Sequence, residues 1–474
     1  MNKPLIFRIV TIGAVVVLLW IALQMVLGIV HERGVYRDQA ERSIWQSYAG
    51  PQTLTGPVIV VPYKEIIAVP PPADRPLTQN AVPAPLAPYR EEMRQLLVFP
   101  KSLRVQTAIT PSERYRGIHK TIVYETASEL SGTIELPDPK ARPELPESTH
   151  HVRFEIGQPY VVVGVADMRG LVSEPVIALD GTAVQLSQGT RLPSLPQGLH
   201  GRVDVSGAAG KPAEARVVPF SMKLAVLGAR AMAVTPVAGL NQFSMQSPWP
   251  HPSFDGDFLP RQRTVTADGF RAEWSITSFN TRVREQLATQ QGVHDLQAAS
   301  VTLMEPVNIY VQAERAVKYG LLFVVLTFAG LYLFELVKSL RIHPIQYLLA
   351  GLALAIFFLL LVSLSEHVAF VLAYLTASAA CIGLLGFYLS FVLRSWQRGL
   401  GFAALLTALY GALYGLLVSE DNALVLGTAL LFVTLAIIMA VTRKVDWYAV
   451  GGGQGAVAAG MQPADEVSKQ TAAD

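Results

Sequence analysis

The chain has 474 residues, of which 51% are apolar and 16% are charged, whereas an ordinary soluble protein carries about 25% charged residues. Its 38 basic and 36 acidic residues nearly balance and form no basic stripe, so the composition argues against a nucleic-acid-binding protein and gives no sign of an acidic partner. The single cysteine, Cys381, excludes an intrachain disulfide, so any exported domain must be stabilised by core burial alone.

The first predicted element is a membrane-spanning helix at about Phe7–Val30, long enough to cross roughly 30 Å of hydrocarbon. Lys3 and Arg8 lie at its start and no small-residue cleavage site follows, which predicts an uncleaved signal anchor. The helix should continue beyond the span until Gly50–Pro51, and a helix packed on its own domain is favoured over one that binds a partner. The four-residue spacing that predicts this continuation is at Tyr36, Ala40, Ile44 and Tyr48.

Residues 31–316 are predicted to form a large β-rich, sandwich-like periplasmic domain, inserted between the first and second of six transmembrane helices. Asp180-Gly181 and Asp268-Gly269 are typical of hairpin turns because such pairs tolerate positive φ. Arg282–Ala299 favours a brief helix. The predicted strands are Pro57–Tyr63, Arg94–Phe99, Val105–Ile109, Lys120–Glu125, Gly132–Leu136, His151–Glu155, Tyr160–Val165, Val176–Leu186, Arg216–Val226 and Arg263–Thr277.

One segment of this domain departs from the strand pattern. Ala68–Pro88 contains seven prolines, which cannot donate to a sheet ladder, so an extended exposed loop is predicted there. A proline-rich recognition site for a partner is the alternative. The polar end of the chain, from Gly451 to Asp474, predicts a loose tail.

Five further spans and very short connections predict a bundle of antiparallel neighbours at residues 317–441, followed by a cytoplasmic tail at 442–474. By the positive-inside rule, residues 1–30 begin in the cytoplasm and both termini are cytoplasmic. The spans are Val317–Val337, Pro344–Ser363, Val368–Leu393, Leu400–Val418 and Ala423–Val441. The basic groups that set this orientation are Lys3, Arg8, Lys338, Arg341, Arg394, Arg398, Arg443 and Lys444.

The densest unusual sequence of the β-rich domain is Trp249–Pro260, WPHPSFDGDFLP. Its tentative binding residues are Trp249, His251, Phe254, Asp255 and Asp257. Three potential metal ligands within seven residues match no standard zinc or calcium spacing, so no metal is predicted. A rigid turn anchored by aromatic residues is favoured over a partner-binding or ligand-binding loop.

The membrane part has four polar residues of tentative functional interest, namely Glu335, His343, Glu366 and His367. Glu335 lies within about a turn of the interface and could pair with Lys338, three residues on, which favours a structural role. A solvated external loop is the favoured interpretation of Glu366–His367, with a protonation switch through His367 as the alternative. Gly411 and Gly415 form a weak G-x-x-x-G motif that close helix packing would explain, either within one chain or between two.

Several catalytic signatures do not occur: the phosphate loop, H-E-x-x-H, C-x-x-C, G-x-S-x-G and G-x-G-x-x-G. No catalytic residue and no cofactor are predicted, and the chain is not expected to be an enzyme.

The chain resembles the bacterial CreD inner-membrane proteins, also described as cell envelope integrity proteins. The resemblance rests on SYAGPQTLTGPVIVVP (47–62), GQPYVVVGVADMRG (157–170), WPHPSFDGDFLP (249–260), RIHPIQYLLAG (341–351), LSEH (364–367) and TRKVDWY (442–448). It implies a role in envelope integrity, regulation by a sensor kinase and tolerance to colicins of the E group. It carries over no catalytic residue, and Ala68–Pro88 looks like an insertion relative to the family.

Three function classes follow, and a non-enzymatic envelope protein acting through its periplasmic domain is favoured. Its partners would be the lipid bilayer and envelope or cell-wall components, while the sequence leaves the oligomeric state open. A transporter or channel is the first alternative, although the apolar span centres argue against it. An envelope-acting enzyme is the second alternative, and it would need a cleft in which His251, Asp255 or Asp257 meet other polar groups.

Overall fold

The computed structural model describes residues 3–69, 89–136, 148, 150–204, 216–289, 296–305, 309–338, 342–419 and 422–443. The proline-rich segment from residue 70 onward and the polar tail lie outside these residues. Within the whole chain, two compact units are distinguished: the β unit, Val35–Val307, and the membrane unit, Met1–Gly34 with Asn308–Asp474.

Six of the seven helices in the described ranges are long and apolar enough to cross a membrane, which confirms the six predicted spans. Only the short α2 is not of this kind. The helices are α1 (Lys3–Ser47), α2 (Val283–Ala288), α3 (Ile309–Lys338), α4 (Pro344–Ser365), α5 (Phe370–Val392), α6 (Trp396–Val418) and α7 (Ala423–Thr442).

The predicted continuation of the first span is confirmed, because α1 runs without interruption to Ser47. It ends just before Gly50–Pro51, where a flexible residue and one without an N–H group disfavour another helical turn. The predicted helix at Arg282–Ala299 is shorter than expected and comprises only α2 within the described residues.

The β unit contains seventeen described strands. They are β1 (Gln52–Ala68), β2 (Tyr89–Val98), β3 (Ser102–Arg116), β4 (His119–Leu136), β5 (His151–Ile156), β6 (Tyr160–Val165), β7 (Val176–Leu179), β8 (Thr182–Gln185), β9 (Ser187–Gln188), β10 (Gly198–Arg202), β11 (Arg216–Ala229), β12 (Ala231–Thr235), β13 (Leu240–Ser247), β14 (Pro252–Gly256), β15 (Gln262–Thr266), β16 (Gly269–Thr277) and β17 (Ala299–Leu303).

These strands form two sheets that share one hydrophobic core, so the prediction of a large β-rich, sandwich-like domain is confirmed. One sheet has the order β14-β17-β12-β1-β6-β10-β9, with β2 and β5 pairing with the far end of β1. The other has the order β15-β16-β13-β3-β4-β11-β7-β8. Core side chains come from both, for example Ile59 and Val161 from the first and Val105 and Phe243 from the second.

The hairpin prediction at Asp180-Gly181 is confirmed, since both residues have positive φ (51° and 77°) between the paired strands β7 and β8. The other predicted turn is shifted by one residue. Thr266 pairs with Gly269, so the loop is formed by Ala267 and Asp268, and Gly269 already belongs to β16.

Candidate functional site

The Trp249–Pro260 segment is more regular than the predicted turn. Its residues Pro252–Gly256 form β14, the edge strand that pairs with β17. The expected aromatic anchoring is present: the Trp249 Nε1 group donates to the Met304 carbonyl at 2.9 Å, and Phe254 packs edge-on against Trp274, with ring centroids 6.1 Å apart. The segment therefore contains an edge strand whose position is fixed by aromatic side chains.

The polar side chains of this segment point to separate partners. Asp257 Oδ2 accepts a hydrogen bond from the Ala298 amide at 3.0 Å, and Asp255 Oδ1 accepts one from the Ser253 hydroxyl at 2.8 Å. His251 lies edge-on to the Trp249 ring. The described residues contain no group of three His, Cys, Asp or Glu side chains placed to hold a metal ion.

In the membrane unit, Glu335 is buried and its Oε2 accepts a hydrogen bond from the Tyr347 hydroxyl at 3.1 Å. The pairing predicted with Lys338 involves a side chain that lies outside the described part. His343 caps the start of α4: its Nδ1 accepts from the Ile345 amide at 3.3 Å, and the Gln346 side chain accepts from the His343 amide at 3.1 Å. Glu335 thus links α3 to α4, and His343 stabilises the first turn of α4.

The interpretation of Glu366 as part of a solvated loop is wrong. Its side chain is only 9% exposed, because it is shared between three helices. Glu366 Oε1 lies 3.8 Å from Arg33 Nε on α1 and accepts a hydrogen bond from the Tyr310 hydroxyl on α3 at 3.2 Å. His367 is exposed, as expected for a loop, and its ring nitrogen Nδ1 lies 3.1 Å from the Ser363 carbonyl.

Gly411 and Gly415 do not permit close helix packing within the described chain, while packing between two chains stays a prediction. A methyl group added at either position would meet nothing within 4 Å. At Gly351 on α4, by contrast, the added carbon would lie 2.0 Å from a methyl carbon of Leu19 on α1. A glycine that permits close helix approach is therefore found in another span.

A buried carboxylate near the end of β1 was not predicted from the sequence. Glu65 has 0% exposed surface. Its Oε1 and Oε2 accept hydrogen bonds from the amide and the hydroxyl of Ser148, both at 2.8 Å. Arg94 Nη1 on β2 lies 3.2 Å from Oε2, and His151 Nδ1 on β5 lies 3.3 Å from Oε1. These four residues form the Glu65 cluster, which joins three strands.

Burial by itself raises the pKa of the Glu65 carboxyl, but the Ser148 hydrogen bonds and the Arg94 charge outweigh it and hold that pKa below its usual value. The predicted strand ends at Tyr63, whereas β1 continues to Ala68 and so includes Glu65.

A second polar network fixes the start of β1, and it brings together two of the strings that carry the family resemblance. Gln52 Nε2 donates to the carbonyls of Asp167 and Leu227 at 2.9 and 2.8 Å, and the Asp167 amide donates to Gln52 Oε1 at 3.1 Å. The Gly50 amide donates to Asp167 Oδ2 at 3.0 Å. We call this network the α1–β1 joint.

Arg169 completes the joint from the other side of Asp167. Its guanidinium donates to Asp167 Oδ1 at 2.9 Å and to the Gln46 carbonyl in the last turn of α1. The Arg169 hydrogen bond, together with the Gly50 and Arg169 amides, overcomes the effect of burial and lowers the pKa of Asp167 to about 2. Asp167 is therefore ionised at neutral pH, and its carboxylate holds the end of the helix to the sheet.

Comparison with known proteins identifies the family. A family model described as "Inner membrane protein CreD" matches residues 4–448. The chain belongs to the CreD family. The Inner membrane protein CreD of Escherichia coli (strain K12) is 34% identical over 459 residues, covering 95% of both chains.

Among solved structures, the InvG secretin domain β-barrel of the Salmonella SPI-1 injectisome NC-base is 13% identical to this CreD family member. The match covers 37% of this chain and 60% of that chain, with a TM-score of 0.08, which is too low to support any argument.

Proposed function

We propose that this protein is a non-enzymatic component of the bacterial inner membrane that supports envelope integrity and tolerance to stress and colicins. In this proposal, residues 31–316 act on the periplasmic side, both termini are cytoplasmic, and the partners are envelope or cell-wall components. Membership of the CreD family supports the membrane location. The distribution of Lys and Arg among the connections supports the orientation.

One observation supports assigning the activity to the β unit and not to transport: buried aromatic side chains of three helices pack together inside the membrane unit. Phe357, Tyr374 and Tyr410 come from three helices, and the Phe357 ring centroid lies 5.7 Å from that of Tyr374 and 4.7 Å from that of Tyr410. The Tyr374 hydroxyl donates to the Tyr410 carbonyl at 2.7 Å. An aromatic core packed in this way favours an anchor over a substrate path.

The test is survival of a deletion strain under envelope stress, complemented with the full chain or with residues 1–307, which keep α1 and the β unit. Export and abundance of the two proteins must be matched. Equal rescue is expected if the β unit carries the activity. Rescue by the full chain alone would favour the transporter alternative, and failure of both would remove the envelope role.

A further inference from the structure

An open groove lies in the β unit between the β7–β8 hairpin and β10. Its volume is about 750 Å³, within the range of roughly 300–1,000 Å³ that is usual for small-molecule sites. Its wall is largely polar and includes Thr182, Gln185, Ser187, Arg191, His200 and Arg202. We call it the arginine groove.

Among the described residues, three arginines but only two carboxylates, Asp180 and Asp204, line the groove. Arg216 is neutralised by Asp180, with Nη1 and Oδ2 3.2 Å apart. Arg191 and Arg202 line the same groove, and neither has a described carboxylate within ion-pair distance. Two unpaired guanidinium groups at one site attract an anion and bind carboxylate or phosphate in a bidentate manner.

The backbone of Arg191 has an uncommon conformation that hydrogen bonds stabilise. Its φ is 57°, a left-handed conformation that costs a residue other than glycine about 1 kcal/mol. The conformation persists because the Arg191 carbonyl accepts hydrogen bonds from Gln95 Nε2 at 2.9 Å and from the Tyr160 hydroxyl at 3.3 Å. Non-glycine residues in such conformations concentrate at functional sites.

The other basic groups gather around the same tyrosine. Arg202 is the register partner of Tyr160, and the His200 ring lies edge-on to the Tyr160 ring, with centroids 6.1 Å apart. His200 Nδ1 lies 2.5 Å from the Gly189 carbonyl, which can only accept, so Nδ1 carries a proton. Nε2 is then the nitrogen that remains for a ligand hydroxyl.

We propose that the arginine groove binds an anionic, hydroxyl-bearing molecule of mono- or disaccharide size, with its carboxylate or phosphate between Arg191 and Arg202. His200, Thr182, Gln185 and Ser187 supply the donors and acceptors that match hydroxyl groups. This inference goes beyond the proposed envelope role, which could hold even if the groove bound nothing.

The test is calorimetric titration of the full chain in phosphatidylcholine nanodiscs with three probes: digalacturonate, glucose 6-phosphate and neutral cellobiose. Saturable binding is expected for at least one acidic probe, and the probe that binds distinguishes a carboxylate from a phosphate ligand. The R191Q/R202Q double variant should bind it at least about tenfold more weakly, a loss of about 1.4 kcal/mol. R104Q is the matched control, because Arg104 is also exposed and donates only to the Gln242 amide oxygen.

A second variant distinguishes a loss of binding from a loss of folding. Arg191→Gly removes the guanidinium but suits the left-handed backbone, so it should retain or raise thermal stability while weakening binding. The proposal is overturned if neither acidic probe saturates up to about 10 mM, if cellobiose binds equally well, or if R104Q reduces binding as much as R191Q/R202Q does.

Discussion

At the scale of single residues, two carboxylates fix the two ends of β1. Asp167 binds the Gly50 amide where the strand begins, and Glu65 is surrounded by Ser148, Arg94 and His151 near its far end. Both pKa values are held below the usual range, because each carboxylate accepts several hydrogen bonds in its ionised form. Each is therefore a source of stability that acid should remove.

Replacing Glu65 with glutamine should loosen the strands that it joins. The change leaves Arg94 without its buried partner and places an amide group against the Ser148 amide, at a cost on the order of 2 kcal/mol. Hydrogen–deuterium exchange of peptides from β1, β2 and β5 is the measurement, and protection should fall there. Glu91→Gln is the matched control, because Glu91 pairs with Lys64 on the same strands but is well exposed. Equal loss of protection in both variants would contradict a special role for Glu65.

Asp167 predicts a defined dependence of stability on pH. Its folded pKa is about 2 against an ordinary value of 3.8, so its contribution, about 2 kcal/mol, is complete above the ordinary value and disappears as the pH falls through the folded value. Urea unfolding of the wild type and of Asp167→Asn, followed by tryptophan fluorescence, should differ by that amount at neutral pH and converge near pH 2. Asp180→Asn, at an exposed ion pair, should change little at any pH. A constant difference down to pH 2 would show that the charge of Asp167 is not responsible.

At the scale of elements, the sequence could predict the apolar spans because hydropathy is a local property, but it could not predict long-range pairing. Lys120–Glu125 and Gly132–Leu136 were predicted as separate strands, yet both belong to the single strand β4. In the folded chain Ser128 is buried and its hydroxyl lies 3.0 Å from that of Thr107, a partner that only the tertiary structure supplies.

The same limit applies to the candidate sites. The aromatic anchoring of Trp249–Pro260 could be predicted from residue types, whereas the Glu65 cluster and the α1–β1 joint depend on residues about 30 to 175 positions apart, which no local pattern connects. The Glu366 bridge likewise needs three helices to meet.

The close approach of α1 and α4 at Gly351 can be tested by substitution, with Gly415 as a control position. Gly351→Ala would push a methyl group against Leu19, which has no exposed surface, so the helices α1 and α4 must shift at a cost of about 1–3 kcal/mol. Gly415→Ala meets open space and should be neutral or slightly stabilising. Thermal unfolding in detergent can be followed by the reaction of buried Cys381 with a thiol dye. Equal melting temperatures for the two variants would contradict the close approach at Gly351.

At the scale of the whole molecule, the charges of the connections between helices predict the orientation in the membrane. The connection between α4 and α5 carries Glu366 and His367, whereas the connection between α5 and α6 carries Arg394 and the next turn carries Arg398. Since basic residues are retained on the cytoplasmic side, these neighbouring connections should lie on opposite faces of the membrane, with the β unit on the same face as His367.

Cysteine labelling in spheroplasts tests this orientation directly, because Cys381 is the only native thiol and can be replaced by alanine. Phe279 in the β unit is 97% exposed and Trp396 at the start of α6 is 70% exposed, so both positions should tolerate cysteine. In the alanine background, Phe279→Cys and His367→Cys should react with a membrane-impermeant maleimide in intact spheroplasts, whereas Trp396→Cys should react only after lysis. The opposite pattern would invert the chain and move the β unit into the cytoplasm. Reaction of Phe279→Cys without His367→Cys would mean that α3 and α4 do not both cross, since these two helices separate the β unit from the connection at His367.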